Sequence, residues 1–250
     1  MADNTPLDIH TETVTLNVSD GTTMPAYVAH PQEGGTRPGL LVLQEAFGVN
    51  AHIRDVTERF ARAGYTAVAP ALFHRTDPNF EGVYTDFAAV RPHMQGLTDD
   101  GQSADIKAAY DWLKSSAGGG VAKIGSIGYC MGGRASFLAD AMLPLQASVS
   151  YYGGGIAPGP QPHFPDLLGR APDLHAPILL FWGGKDEHIG IQGARAVEDA
   201  VRAAGKPYAQ VVFSQADHGF FCDARASYNA EAAAQAWALT LSFLAAHLQA

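Results

Sequence analysis

Apolar and polar residues alternate along residues 11–18, and residues 24–30 follow beyond an Asp20-Gly21 turn signal, so the two segments predict an antiparallel edge hairpin. From Leu40 onward the pattern changes. Residues 40–43, 66–69, 121–127, 147–151, 178–182 and 209–213 are continuous apolar runs of the kind that suit parallel strands buried on both faces. Between them, helical spacing predicts helices over 51–63, stopping at Gly64, and over 100–116. A third helix should start just after Cys130, followed by helices over 192–204, stopping at Gly205, and over 228–248. The expectation is one α/β domain over residues 1–250, with about eight strands in a mostly parallel sheet and helices on both faces. Two longer connections, 73–98 and 153–176, leave the C-terminal ends of strands, where such sheets place ligands, and are read as site walls.

Composition narrows the function. With 47% apolar and 16% charged residues in a chain of 250, there is material for a substantial core and too little charge for a disordered chain. The net charge of −9, without a run of Lys or Arg, argues against nucleic acid as a partner. Apolar stretches such as 177–182 are too short to cross a bilayer, so no membrane association is expected. The first ten residues lack the basic start and apolar segment of a secretory signal, which points to the cytoplasm. Two cysteines, Cys130 and Cys222, make no disulfide framework, so each is a packing residue or a reactive thiol.

The chemistry concentrates in Gly128-Tyr129-Cys130-Met131-Gly132-Gly133, where a strand runs directly into a helix. This is the strand–elbow–helix context in which G-x-S-x-G presents a nucleophile, with cysteine in place of serine. Side chains on either side of so sharp a turn would collide with backbone, which accounts for Gly128 and Gly132. The helix N-terminus beneath the sulfur favours a thiolate and an oxyanion. Cys222 has no such turn and is read as packing or site lining. A nucleophile of this kind needs a base and an orienting carboxylate, in the chain order nucleophile, acid, histidine. Asp186 follows the strand 178–182 and His218 follows the strand 209–213, both at the same sheet edge. Glu187 and Asp217 are rival carboxylates, and the loop position of Asp186 favours it.

With these residues in view, the chain resembles the dienelactone hydrolase family of α/β-hydrolases. The resemblance rests on Gln44-Glu45-Ala46-Phe47-Gly48-Val49-Asn50 with His52-Ile53-Arg54-Asp55, on Ala69-Pro70-Ala71-Leu72-Phe73, on the Cys130 elbow, and on His218-Gly219-Phe220. It implies an α/β-hydrolase fold without a separate cap domain, a Cys130-His218-Asp186 triad, and a resting role for Glu45 in holding or receiving the thiol proton. It also implies an oxyanion hole at the backbone N–H groups of Met131 and Ala46, and arginines that bind a substrate carboxylate. Arg75 stands where one of these is expected. For the second, the position soon after the histidine is Cys222 and the nearest arginine is Arg225, for which surface and binding roles stay open. Phe47, Tyr84, Trp182 and Phe220, with Phe221, are candidates for an apolar pocket wall, or else core.

The implied reaction is hydrolysis of a small-molecule carboxylic ester or lactone through a cysteinyl thioester. A thiolate, with a parent pKa of about 8.5, leaves a tetrahedral intermediate more readily than a simple alkoxide. Attack on an alkyl ester should therefore mostly reverse, and the substrate should carry a stabilised leaving group such as an enolate or aryl oxide. The alternative is a catalytically silent small-molecule-binding protein on the same fold. A dinucleotide-binding enzyme is disfavoured by Gln44-Glu45-Ala46-Phe47-Gly48 where G-x-G-x-x-G would stand. No H-E-x-x-H or paired-cysteine pattern occurs, so neither metal nor cofactor is expected.

Overall fold

A computed structural model describes residues 7–32, 35, 37–159 and 164–249. The first six residues, part of the start read as lacking a signal, and residues 160–163 of the second long connection lie outside them. The expected hairpin forms from β1 (Ile9–Asn17) and β2 (Thr23–Pro31), with Leu16 opposite Met24 and His10 opposite His30. The remaining strands are β3 (Gly39–Leu43), β4 (Thr66–Pro70), β5 (Ile124–Tyr129), β6 (Ala147–Tyr151), β7 (Ile178–Gly183) and β8 (Tyr208–Phe213). They complete an eight-stranded sheet in the order β1-β2-β4-β3-β5-β6-β7-β8. β2 lies antiparallel to β4, and every pairing from β4 to β8 is parallel.

Alternation along the central strands divides the core. Leu40 and Val42 point to a layer with Phe60, Tyr129 and Tyr151, covered by α1 (Ala51–Arg62) and α6 (Ala230–Leu244). Leu41 and Leu43 point to the opposite layer with Ile106 and Ala135, covered by α3 (Asp99–Lys114) and α4 (Met131–Asp140). On that second face, α5 (Gly190–Ala203) packs Val197 against Leu180 and Trp182 of β7. Side chains of Asn50, Thr98 and Asn229 accept from backbone N–H groups in the first turns of α1, α3 and α6, which sets where those helices begin.

Four elements differ from the sequence reading. β5 begins at Ile124 and runs on through Gly128 and Tyr129, because Gly128 still pairs with Leu43 of β3. β8 is only partly buried, with Ala209 and Val212 exposed, since it is the outer strand and pairs with β7 alone. α6 gives way after Leu244 to a wider π turn, Ala245–Gln249, which carries Leu248 into the core. The connection 73–98 holds a helix that was not expected, α2 (Phe87–Gln95), capped by Asp86 and containing Pro92. Among the described residues no helix is long and apolar enough to cross a membrane.

Candidate active site

The parallel strands deliver their loops to one edge of the sheet, and the elbow stands at its centre. β5 ends at Tyr129 and α4 begins at Met131, so Cys130 alone makes the reversal, at φ 55° and ψ −118°. That backbone conformation is costly for a residue with a Cβ, and neighbouring contacts hold it. The Cys130 N–H donates to the Tyr151 carbonyl at 3.0 Å, and the Cys130 carbonyl accepts from Gly133 at 2.9 Å. A Cβ on Gly128 would come within 1.7 Å of the Gly132 carbonyl oxygen, and one on Gly132 within 2.1 Å of the Leu43 carbonyl oxygen. Both glycines are therefore conditions of the turn. As the first residue of α4, Met131 has an N–H without an intrahelical acceptor.

β7 and β8 supply the partners. Asp186, 5% exposed, follows the Gly183-Gly184 turn. Its Oδ1 accepts from the N–H groups of His188 at 2.9 Å and Ile189 at 3.0 Å, and its Oδ2 lies 2.8 Å from His218 Nδ1. Burial works to raise the Asp186 carboxyl, but His218 and the two amides prevail and lower it. Cys130 and His218 line the same cavity, and the thiol acts on the imidazole. Burial alone would depress His218. The charge on Cys130 and the hydrogen bonds to Asp186 and Cys130 outweigh it and raise the imidazole to about 10. Of the rival carboxylates, Asp217 is exposed and accepts from the backbone N–H of His218, and Glu187 is exposed. The three residues Cys130, His218 and Asp186 thus come together in one row.

Beneath them lies a second group. Glu45 is fully buried at the end of β3, with Oε1 3.2 Å from Arg225 Nη1 and Oε2 without a hydrogen-bond partner. Arg225 extends over the rings of Tyr84 at 5.6 Å and Phe47 at 5.8 Å, and its charge also reaches Cys130. It crosses Gly219, where φ is +77° and a Cβ would fall 2.4 Å from the guanidinium. The Tyr84 hydroxyl accepts from Asn50 at 3.0 Å and meets the thiol of buried Cys222. Burial, followed by the charge of Glu45, pushes that thiol up to about 11.

These groups open into a cavity of about 700 Å³ lined by Ala46, Phe47, Met131, Trp182 and Arg225 along with Cys130 and His218. Its outer wall is α2, which turns Phe87, Val90, Arg91 and Met94 toward it. Their i, i+3, i+4, i+7 spacing was present in the sequence and is the signal that would have revealed both the helix and Arg91. Arg75 corrects the expectation of a substrate-binding arginine. It bonds to Asp105 at 2.8 and 2.9 Å and to Asp20 at 2.6 and 2.9 Å, away from the cavity lining, because Asp105 is buried and needs a cation. Phe220 is likewise core, packed against Tyr151, Tyr152 and Phe213, and Tyr84 backs Phe47 rather than lining the cavity. Arg225, left open by the sequence, and Arg91 are the arginines that the cavity receives.

Metal-ligand chemistry that no sequence spacing announced is also gathered by the fold. Among the described residues, Glu45, His52 and Cys222 form one buried set of donors, and His10, Glu12 and His30 form another on the outer hairpin.

The model of the dienelactone hydrolase family matches residues 24–248. The chain belongs to that family. A protein of Synechocystis sp. named as a candidate carboxymethylenebutenolidase is 36% identical over 240 residues, spanning 92% of this chain and 94% of its own. One of Escherichia coli K12 with the same name is 38% identical over 93% of this chain and 86% of its own. The crystal structure of a candidate dienelactone hydrolase from Klebsiella pneumoniae aligns at a TM-score of 0.85 and 34% identity, covering 95% of this chain and 99% of that one. A dienelactone hydrolase-like promiscuous phosphotriesterase from metagenomic libraries, 22% identical at a TM-score of 0.81 over 96% of this chain and 99% of its own, shares the fold. The family member described here is accordingly a hydrolase with the α/β-hydrolase fold.

Proposed function

We propose that this hydrolase cleaves small carboxylic esters or lactones through a thioester on Cys130, with His218 as base and acid and Asp186 as its orienting partner. The observation that carries this reading is the strained elbow, which presents the thiol to an imidazole already fixed by a buried carboxylate. The Cys130 sulfur attacks the carbonyl carbon, the π electrons move to oxygen, and the oxyanion is received by the N–H groups of Met131 and Ala46. The C–O bond then breaks, the leaving oxygen takes the proton from His218, and water activated by His218 releases the acid. Asp186 holds Nδ1–H, so that Nε2 faces the sulfur. Glu45 takes or returns the thiol proton from below and is held meanwhile by Arg225.

The cavity favours a compact acyl group with an apolar body, against Phe47, Trp182, Val90 and Met94, and an acidic substituent within reach of Arg225 and Arg91. Because a thiolate is a good leaving group, enol lactones and aryl esters should exceed alkyl esters in kcat/KM. Rapid quenching with an aryl ester, followed by peptide mass analysis, should find the acyl group on Cys130 and no turnover in Cys130→Ala. Undiminished turnover in that variant would overturn the reading, and equal kcat/KM for aryl and alkyl esters would remove the leaving-group argument. Both cysteines being free, the reducing cytoplasm is the proposed location.

A further inference from the structure

His52, on the first turn of α1, has a side chain only 2% exposed, yet neither ring nitrogen has a hydrogen-bond partner. Nδ1 lies 3.9 Å from Asp223, beyond hydrogen-bonding distance. Beside it, Glu45 Oε2 is equally buried and equally unpartnered. Leaving such groups dry costs about 1–3 kcal/mol each, so unsatisfied atoms converging on one point call for an occupant. The third wall of that point is the thiol of Cys222, and one donor atom from each of the three residues lies within 4.8 Å of the others.

We propose that Glu45, His52 and Cys222 form a buried three-donor site for one divalent cation of the Zn²⁺ type, and that its occupation withdraws Glu45 from catalysis. Ligand lengths of about 2.0–2.3 Å place donors roughly 3.2–3.8 Å apart around a tetrahedral ion, so atoms already within 4.8 Å of one another have at most roughly 1–1.6 Å to close. A thiolate, an imidazole and a carboxylate together select a borderline-soft ion over Mg²⁺ or Ca²⁺. On binding, the Cys222 proton passes to solvent, His52 binds neutral, and the two anionic ligands cancel the ion's charge, leaving the fourth position to water. No electron is transferred. Arg225 opposes the ion by its own charge but occupies Oε1, and the ion takes Oε2. Asp223, which is exposed, marks the way in from solvent past His52. The second half of the proposal rests on the hydrolytic reading above. The first does not, so the two fail separately.

The test uses the full chain in a Cys130→Ala background, which removes the catalytic thiol as a competing ligand, stripped with a chelator and titrated with Zn²⁺ or Co²⁺. One equivalent should bind, and Co²⁺ should show a thiolate-to-metal charge-transfer band in the near ultraviolet. Cys222→Ser should abolish the band and weaken Zn²⁺ binding at least tenfold, and His52→Gln should weaken it similarly. X-ray absorption at the zinc edge, which needs neither variant, should show one sulfur and the remainder nitrogen or oxygen. Failure to bind a stoichiometric ion would assign the pocket to a buried water and overturn the proposal, as would a sulfur-free shell or a charge-transfer band surviving Cys222→Ser. With Cys130 present, Zn²⁺ should inhibit aryl ester turnover at tenfold lower concentration in the wild type than in Cys222→Ser. Equal inhibition would overturn the link to Glu45.

Discussion

Replacing Asp186 with Asn separates the electrostatic role of that side chain from its structural one. The carboxylate makes three contacts, two on Oδ1 from the amides of His188 and Ile189 and one on Oδ2 from His218 Nδ1. An Asn that keeps its oxygen toward the two amides retains both and turns an NH₂ toward Nδ1. Two donors then face each other, so the imidazole adopts the other tautomer and carries its proton on the nitrogen facing Cys130, where it can no longer accept one. The stability lost should be that of one hydrogen bond to a charged group, about 1.5–3 kcal/mol. The rate should fall by roughly 10³–10⁴-fold, as expected for a wrong tautomer in such a triad, which is about 4–5 kcal/mol of barrier. Turnover of an aryl ester and urea unfolding, measured on the same preparation, give both numbers. A fall in kcat of less than tenfold in a folded Asp186→Asn protein would refute the tautomer argument and return Glu187 or Asp217 to consideration.

Gly132→Ala should lose activity and destabilise the fold by about 4 kcal/mol or more, because its Cβ meets the Leu43 carbonyl rather than a movable side chain. A thermal melt within a few degrees of wild type would contradict this. Arg75→Ala should leave KM unchanged for acidic and neutral esters alike. Its cost should be about 1–3 kcal/mol of stability, since Asp105 loses one partner but retains His74 at 3.0 Å. Arg225→Met should raise KM for acidic esters selectively and destabilise by about 3–5 kcal/mol by isolating buried Glu45, and adding Glu45→Gln should restore part of that stability, read as a double-mutant cycle. The raised His218 imidazole stabilises the fold fully below the unfolded value of about 6.5, and that stabilisation fades as pH climbs through about 10. Urea midpoints should therefore drop over that window in wild type and less steeply in Cys130→Ala.

Backbone-determined features were legible in the sequence. Continuous apolar runs marked the parallel strands, and Gly128 and Gly132 marked the elbow, because local sterics alone demand them. The order of Cys130, Asp186 and His218 followed, since each trails a strand whose end the sheet topology places on one edge. Side-chain direction was not legible. Arg75 and Arg225 are both arginines on loops near that edge, and only the buried charge of Asp105 in one case and Glu45 in the other decides where each points. Phe220 and Phe47 pose the same problem, one inward and one on the cavity, although each lies two residues from a candidate site residue, His218 and Glu45. α2 escaped because Pro92 lies inside it, a residue that ordinarily marks the end of a helix.

That helix is tethered at each end by irregular chain and contributes nothing to the sheet. The wall it forms across the cavity is therefore one short stretch of chain, separate in sequence from Cys130, Asp186 and His218, while Phe47, Trp182 and Arg225 line the rest. Exchange of Phe87–Gln95 alone is expected to change which acyl groups the cavity admits, with Tyr84 and the Cys130 elbow left as they are.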